Sequence, residues 1–126
     1  MATTKIFPIT ATTGKAIAYI AKAEKTDNGR LISTYMCSRD PDKAAKEFAE
    51  VTATGTGRST VLAQHFIMAF KPGEVTPERA MEIGKEMCEK YLKDQYQYFL
   101  AVHTDKGHVH LHCIFNNTNL INGLTF

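Results

Sequence analysis

The segment His103-Thr-Asp-Lys-Gly-His108-Val-His110-Leu-His112 holds four of the five histidines of a 126-residue chain. Asp105 sits among them. The last three alternate with apolar residues, and in a β-strand side chains at i, i+2 and i+4 share one face. Three imidazoles then project together while Val109, Leu111 and Cys113 pack behind them. Neutral imidazole is the commonest metal ligand in proteins. The chemistry this pattern offers is therefore the binding of a divalent ion.

A single histidine on an apolar face is ordinarily a core or surface residue. Clustered imidazoles differ, because they repel when protonated and gain little from burial. A structural zinc site is disfavoured, since such sites use closed Cys/His sets in spaced pairs. Cys37, Cys88 and Cys113 form no C-x-x-C. Histidine-only sets tend to leave coordination positions open for water or substrate, which suits catalysis.

The elements that must position these residues can be read along the chain. Lys5 to Ile9 reads as a short strand, with Pro8 marking an edge or a strand end. A helix is expected from Thr13 to Lys25, with Thr13 as its cap and Ile17, Ile20 and Ala21 as its apolar stripe. Asp27-Asn-Gly-Arg30 is a turn, and Leu31 to Cys37 is strand-like. Pro41 opens a second helix running to about Glu50. Val61 to Phe70 is a strongly apolar strand. Thr76-Pro77 starts a third helix, whose expected buried stripe is Ala80, Ile83, Gly84, Met87, Tyr91 and Leu92. Tyr96 to His103 and His108 to Asn116 are two strands of a hairpin. The order β-α-β-α-β-α-β-β predicts an α+β sandwich: a mainly antiparallel sheet with helices covering one face.

Composition bounds the rest. The length suits one domain, 1–126, with a real core. Hydrophobic content of 44% and charged content of 22% are ordinary for a globular protein. No apolar run reaches the ~20 residues that span a bilayer, and the N-terminus lacks a secretory pattern. An odd number of cysteines without framework spacing predicts free thiols in a reducing cytoplasm. A net charge of only +2 means that any basic patch is local.

Two hairpin registers are open. A four-residue loop, 104–107, sets His103 opposite His108. A six-residue loop, 104–109, sets it opposite His110, with His112 on the diagonal. Opposed and diagonal side chains come within about 5–8 Å, close enough to share one ion. Tyr19 is the second group of interest. At ~100° per residue it points away from the Ile17/Ile20/Ala21 stripe, on the same side as Lys15 and Lys22. A phenol between two ammonium groups is where a phosphate can dock. It is expected on the histidine side of the sheet. Tyr35, Tyr96 and Tyr98 compete with it, but Tyr96 and Tyr98 alternate away from His103, and Tyr91 falls in the helix stripe.

At this point the chain resembles the relaxase or mobilization-nuclease family, HUH-type endonucleases that nick single-stranded DNA at a transfer origin. The resemblance rests on His103-x-Asp105, His110-Leu-His112 and Asn116-Asn117. It extends to Phe70-Lys-Pro-Gly-Glu74 with Thr76-Pro-Glu78, and to Ile17-Ala-Tyr19-Ile with Glu24-Lys-Thr26, so it covers nearly the whole chain. It implies a relaxase-like sandwich related to ferredoxin-like and RRM folds. It implies Tyr19 as the nucleophile that becomes linked to a 5′ phosphate. It implies His103, His110 and His112 as ligands of a divalent metal, which favours the wider hairpin loop and leaves His108 at the rim. Mg or Mn is the expected working ion, while an all-imidazole set also takes Zn or Ni. Asp105 is expected to orient a ligand imidazole or to accept the tyrosine proton. Lys15, Lys22, Lys25 and Arg30 are the expected DNA contacts.

Relaxase domains usually continue well past the histidine strand, whereas here 14 residues follow His112. The expectation is a domain lacking the usual C-terminal elements, with a sheet edge or helix face available for a homodimer. Two rivals stand beside strand transfer. One is a histidine-metal phosphodiester hydrolase that uses water. The other is a non-catalytic DNA-binding remnant of the fold.

Overall fold

The computed structural model describes residues 3–57, 59–104 and 107–126. Its elements are β1 (Thr3–Ile9), α1 (Thr13–Ile20), β2 (Ile32–Tyr35), α2 (Pro41–Ala53), β3 (Ala63–Ala69), α3 (Pro77–Leu92), β4 (Tyr98–His103) and β5 (His110–Asn116). The five strands form one sheet in the order β1-β3-β5-β4-β2, and every pairing is antiparallel. The α+β class and the element order are as the sequence predicts. β1, with Pro8, is an edge strand, where a missing N–H costs no ladder bond. The chain's last histidine strand, β5, lies at the centre.

Period-2 alternation divides the sheet into two cores. Ile9, Ala63, Ile114, Phe99, Ala101 and Ile32 face α1 and α2, meeting Ile17, Ile20, Ala44 and Phe48. Leu100, Val102, Leu111, Cys113 and Phe115 face the other way, against Ala80, Met81, Cys88 and Leu92 of α3. Helices therefore cover both faces, not one as expected. The third helix takes the far face because the alternating apolar residues of β4 and β5 need a cover there too. Gly84 permits its close approach: a Cβ at that position would lie 2.5 Å from Leu111 Cδ1.

Helix ends follow local chemistry. Asp40 caps α2 by accepting from the Asp42 N–H at 3.0 Å, and Thr76 caps α3 by accepting from the Arg79 N–H at 3.1 Å. Pro follows each cap at the favoured first position. α1 departs from expectation at both ends. Its cap is Thr12, in a left-handed conformation and without a side-chain cap bond, rather than Thr13. It stops at Ile20 rather than at Lys25. Beyond Ala21 the backbone turns irregularly: Thr26 is fully buried, with its hydroxyl on the Lys22 carbonyl at 2.9 Å, and Asp27 and Asn28 take positive φ. The Asp27-Asn-Gly-Arg30 turn follows directly, closed by the Leu31 N–H on the Thr26 carbonyl at 3.0 Å.

The buried stripe of α3 is Ala80, Met81, Gly84, Cys88 and Leu92. Tyr91, expected in the core, is 61% exposed. The helix sits rotated so that Gly84 and Cys88 meet the sheet. Tyr91 is left on the rim of an apolar cleft of about 390 Å³ that Ile6, Phe66 and Phe126 also line.

Candidate active site

Strand pairing brings the histidines together. β4 and β5 pair His103 opposite His110, the wider of the two registers. Gly107 takes φ +72° in the connection, a backbone conformation that favours glycine. Because β5 is central, His112 has diagonal neighbours on both sides. On one side is His103 of β4, with ring centroids 4.2 Å apart. On the other is His65 of β3, at 5.3 Å. His110 lies 6.2 Å from His112, and His108 packs edge-on against His110 at 4.2 Å. All five histidines thus form one contiguous cluster.

His65 is the residue that reading the sequence alone did not single out. It stands 47 positions from His112, yet its Nε2 lies 3.0 Å from His112 Nδ1. Each ring is 8% exposed. Its signal was a lone histidine alternating with Ala63 and Ile67 in an apolar strand, which gains meaning once β3 is known to flank β5.

Burial decides protonation here. Desolvation, aided by His103 and then His65, lowers the His112 pKa to about 3. Desolvation and then His103 lower that of His65 to about 4. Both rings are therefore neutral at pH 7 and keep a lone pair on one nitrogen. The chemistry of this donor set fits a divalent cation. The present ring orientations do not close a cage: among the described residues no three ligating side chains gather at metal-holding spacing. His103 Nε2 donates to the Ile20 carbonyl at 2.8 Å, His112 Nδ1 meets His65, and His110 Nε2 meets His108 Nε2.

α1 runs across the same face. Ile17 and Ile20 anchor it in the core, and Tyr19 projects outward, 47% exposed. The Tyr19 ring lies edge-on to His103 with centroids 6.4 Å apart. Lys22 and Lys25 each hold Nζ 5.2 Å from the Tyr19 ring centroid. The loop carrying Lys25 is tied to the histidine strand, since the Thr104 N–H donates to the Lys25 carbonyl at 3.0 Å. The other two expected DNA contacts lie differently. Arg30 is engaged with Asp27 at 2.7 Å and Glu78 at 2.8 Å, and Lys15 is an exposed residue of α1. Asp105 lies outside the described residues. Tyr35 and Tyr98 stack on each other at the end of β2 and β4 away from His103.

The face thus carries a phenol, two ammonium groups and a cluster of five imidazoles, a combination suited to a phosphodiester. The nuclease-domain model of the MobA/VirD2-like relaxases matches residues 19–126. The chain belongs to that relaxase family. It is 37% identical over 123 residues to a Protein rlx of Staphylococcus aureus, covering 98% of this chain and 36% of that protein. A second Staphylococcus aureus Protein rlx is 34% identical over the same shares. The group II intron-interrupted relaxase LtrB of Lactococcus lactis subsp. cremoris (strain MG1363) is 39% identical over 69 residues, 54% of this chain and 12% of LtrB. The chain spans about a third of the length of the rlx proteins it matches. Among the described residues no helix is long and apolar enough to cross a membrane.

Proposed function

We propose that this chain carries the nicking chemistry of a relaxase, cutting single-stranded DNA at a transfer origin during conjugative transfer or mobilization. The observation that carries the reading is the juxtaposition of Tyr19 with His103, 6.4 Å between ring centroids, beneath two lysines. Tyr19 Oη attacks the scissile phosphorus and forms a phosphotyrosine bond. The bond from phosphorus to the 3′ oxygen breaks, and that oxygen leaves as a hydroxyl after taking a proton. The enzyme keeps the 5′ phosphate, so the bond energy is stored for strand rejoining. Asp105 is the candidate acceptor of the phenolic proton. Lys22 and Lys25 hold the phosphates that flank the scissile one. His103, His110 and His112 hold a divalent ion, Mg or Mn, which when bound supplies positive charge to the non-bridging oxygens. The bond from His103 to Ile20 fixes the end of α1 and so holds the phenol over the site.

The test uses 3′-labelled single strands tiled across the origin region of the mobile element, Mn²⁺ or Mg²⁺, and denaturing electrophoresis. Label is expected to migrate with the protein, and Tyr19→Phe is expected to abolish the adduct while leaving stability within about 0.5 kcal/mol, because the side chain is half-exposed. Cleavage that persists in Tyr19→Phe without an adduct would replace strand transfer with hydrolysis by water. Binding of single strands without cleavage would assign the non-catalytic role.

A further inference from the structure

The fifth histidine, His65, has no place in the chemistry above, yet it is buried. We propose that His65 is a positioning residue that accepts the Nδ1–H of His112 and so turns the Nε2 lone pair of His112 toward the cation. The inference rests on the reading that His103, His110 and His112 hold a divalent ion.

The argument is one of proton placement. A neutral imidazole has one N–H and one lone pair, and the bond made by one nitrogen decides which is which. His65 Nε2 and His112 Nδ1 are 3.0 Å apart, so one proton lies between them. If that proton belonged to His65, His112 would accept through Nδ1 and carry its own proton on Nε2. Both nitrogens would then be spent and His112 could ligate nothing. If it belongs to His112, Nε2 keeps its lone pair, and the ring is held at one orientation. A cation site at this cluster therefore requires the second arrangement. Metal-bound histidines generally donate their other N–H to a fixed acceptor, commonly a carboxylate, a backbone carbonyl or a water, and removing such an acceptor weakens metal affinity by about 10–100-fold. Here a second neutral imidazole would fill that place.

The surroundings fit a fixed acceptor. His65 sits in β3, paired on one side with the central β5 and on the other with β1. The Phe7 ring lies against it, centroids 4.8 Å apart. The imidazole is thus held between an aromatic ring and His112. A carboxylate in this buried position would bring an unneeded charge, while a second imidazole accepts the bond and stays neutral. Of the three candidate ligands, His112 is the one flanked diagonally on both sides, by His103 and by His65.

The experiment uses the whole chain with Mn²⁺ as the probe, comparing the parent, His65→Phe and His65→Gln. Phe keeps an aromatic ring but offers no acceptor; the Gln amide oxygen reaches about as far as Nε2. Long-range ¹⁵N correlation spectra of the metal-free protein report the His112 tautomer, and calorimetry reports Mn²⁺ affinity. The expected result is an Nδ1–H His112 in the parent, reverting in His65→Phe to the Nε2–H form that free imidazoles favour. Mn²⁺ affinity falls about 10–100-fold in His65→Phe and recovers most of the way in His65→Gln. An Nε2–H His112 in a parent that binds Mn²⁺, or a His65→Phe affinity within twofold of the parent, overturns the role of His65 alone. A His65→Gln loss as large as that of His65→Phe makes His65 itself a ligand and overturns it also. A parent that binds no Mn²⁺ overturns the cation reading and this one with it.

Discussion

Two buried histidines, His65 and His112, make the metal-free protein acid-sensitive, by an amount that can be worked out. In the fold His112 titrates near pH 3 and His65 near pH 4. In the unfolded chain both titrate near pH 6.5. As pH falls below about 6.5 the unfolded chain takes up protons that the folded chain refuses, so stability falls as pH drops from about 6.5 toward 4 and 3. By linkage, moving from pH 7 to pH 5 costs about 2 kcal/mol for each ring and about 4 kcal/mol for the pair. Against a typical total of about 5–15 kcal/mol this is a large share. The assay is urea unfolding in chelator, followed by circular dichroism. At an m-value of about 2 kcal/mol/M the midpoint should fall by about 2 M between pH 7 and pH 5. His65→Phe removes one of the two rings and should roughly halve that drop. A parent midpoint that does not move, or a variant that drops as far as the parent, would refute the assignment of neutral buried imidazoles.

Other outcomes test other layers. Lys22→Ala/Lys25→Ala should reduce the salt dependence of single-strand binding, lowering the slope of log K against log salt by about 1.4, or about 0.7 per lost phosphate contact. An unchanged slope would move the phosphate path away from Tyr19. Asn116 is fully buried, with its amide N–H groups on the Phe48 carbonyl at 3.0 Å and Gln97 Oε1 at 2.9 Å, and its oxygen on the Thr118 N–H at 3.0 Å. Asn116→Ala strands those partners and should cost about 3 kcal/mol, with little change in metal affinity at neutral pH. Chemical denaturation and calorimetry on the same preparation separate the two effects.

Several parts of this architecture were legible because the deciding forces are local. The N-cap threonine and proline of α3 announce its start through bonds made within one turn. The alternation announces a strand through geometry alone, but the strand begins at His110, and His108, expected within it, lies in the bend before it. The hairpin register was not legible from the alternation, which both loop lengths satisfy; the family resemblance favoured the wider loop, which the strand pairing has. The end of α1 was missed because Thr26, a polar residue that gives no apolar signal in the sequence, is fully buried in the folded chain. Tyr91 was misassigned because stripe membership says which side of a helix is apolar, not how far the helix is rotated on the sheet. His65 stayed hidden for a topological reason: β3 joins β5 across 47 positions, and no local pattern reports strand order.

The bond from His103 to Ile20 has a consequence for how mutants of this protein are read. One imidazole serves two offices, as a member of the histidine cluster and as the clamp on the last turn of the helix that carries Tyr19. α1 has eight residues and no side-chain cap at its start, so it has little to spare. An alanine scan would therefore credit His103 with more than its share of ion binding, because part of the loss is a helix that has come adrift. His110, half-buried, meets its neighbour His108 among the described residues, a contact outside α1. Under the proposed nicking role, a His103→Ala loss larger than that of His110→Ala then reports what holding the end of α1, and Tyr19 with it, contributes.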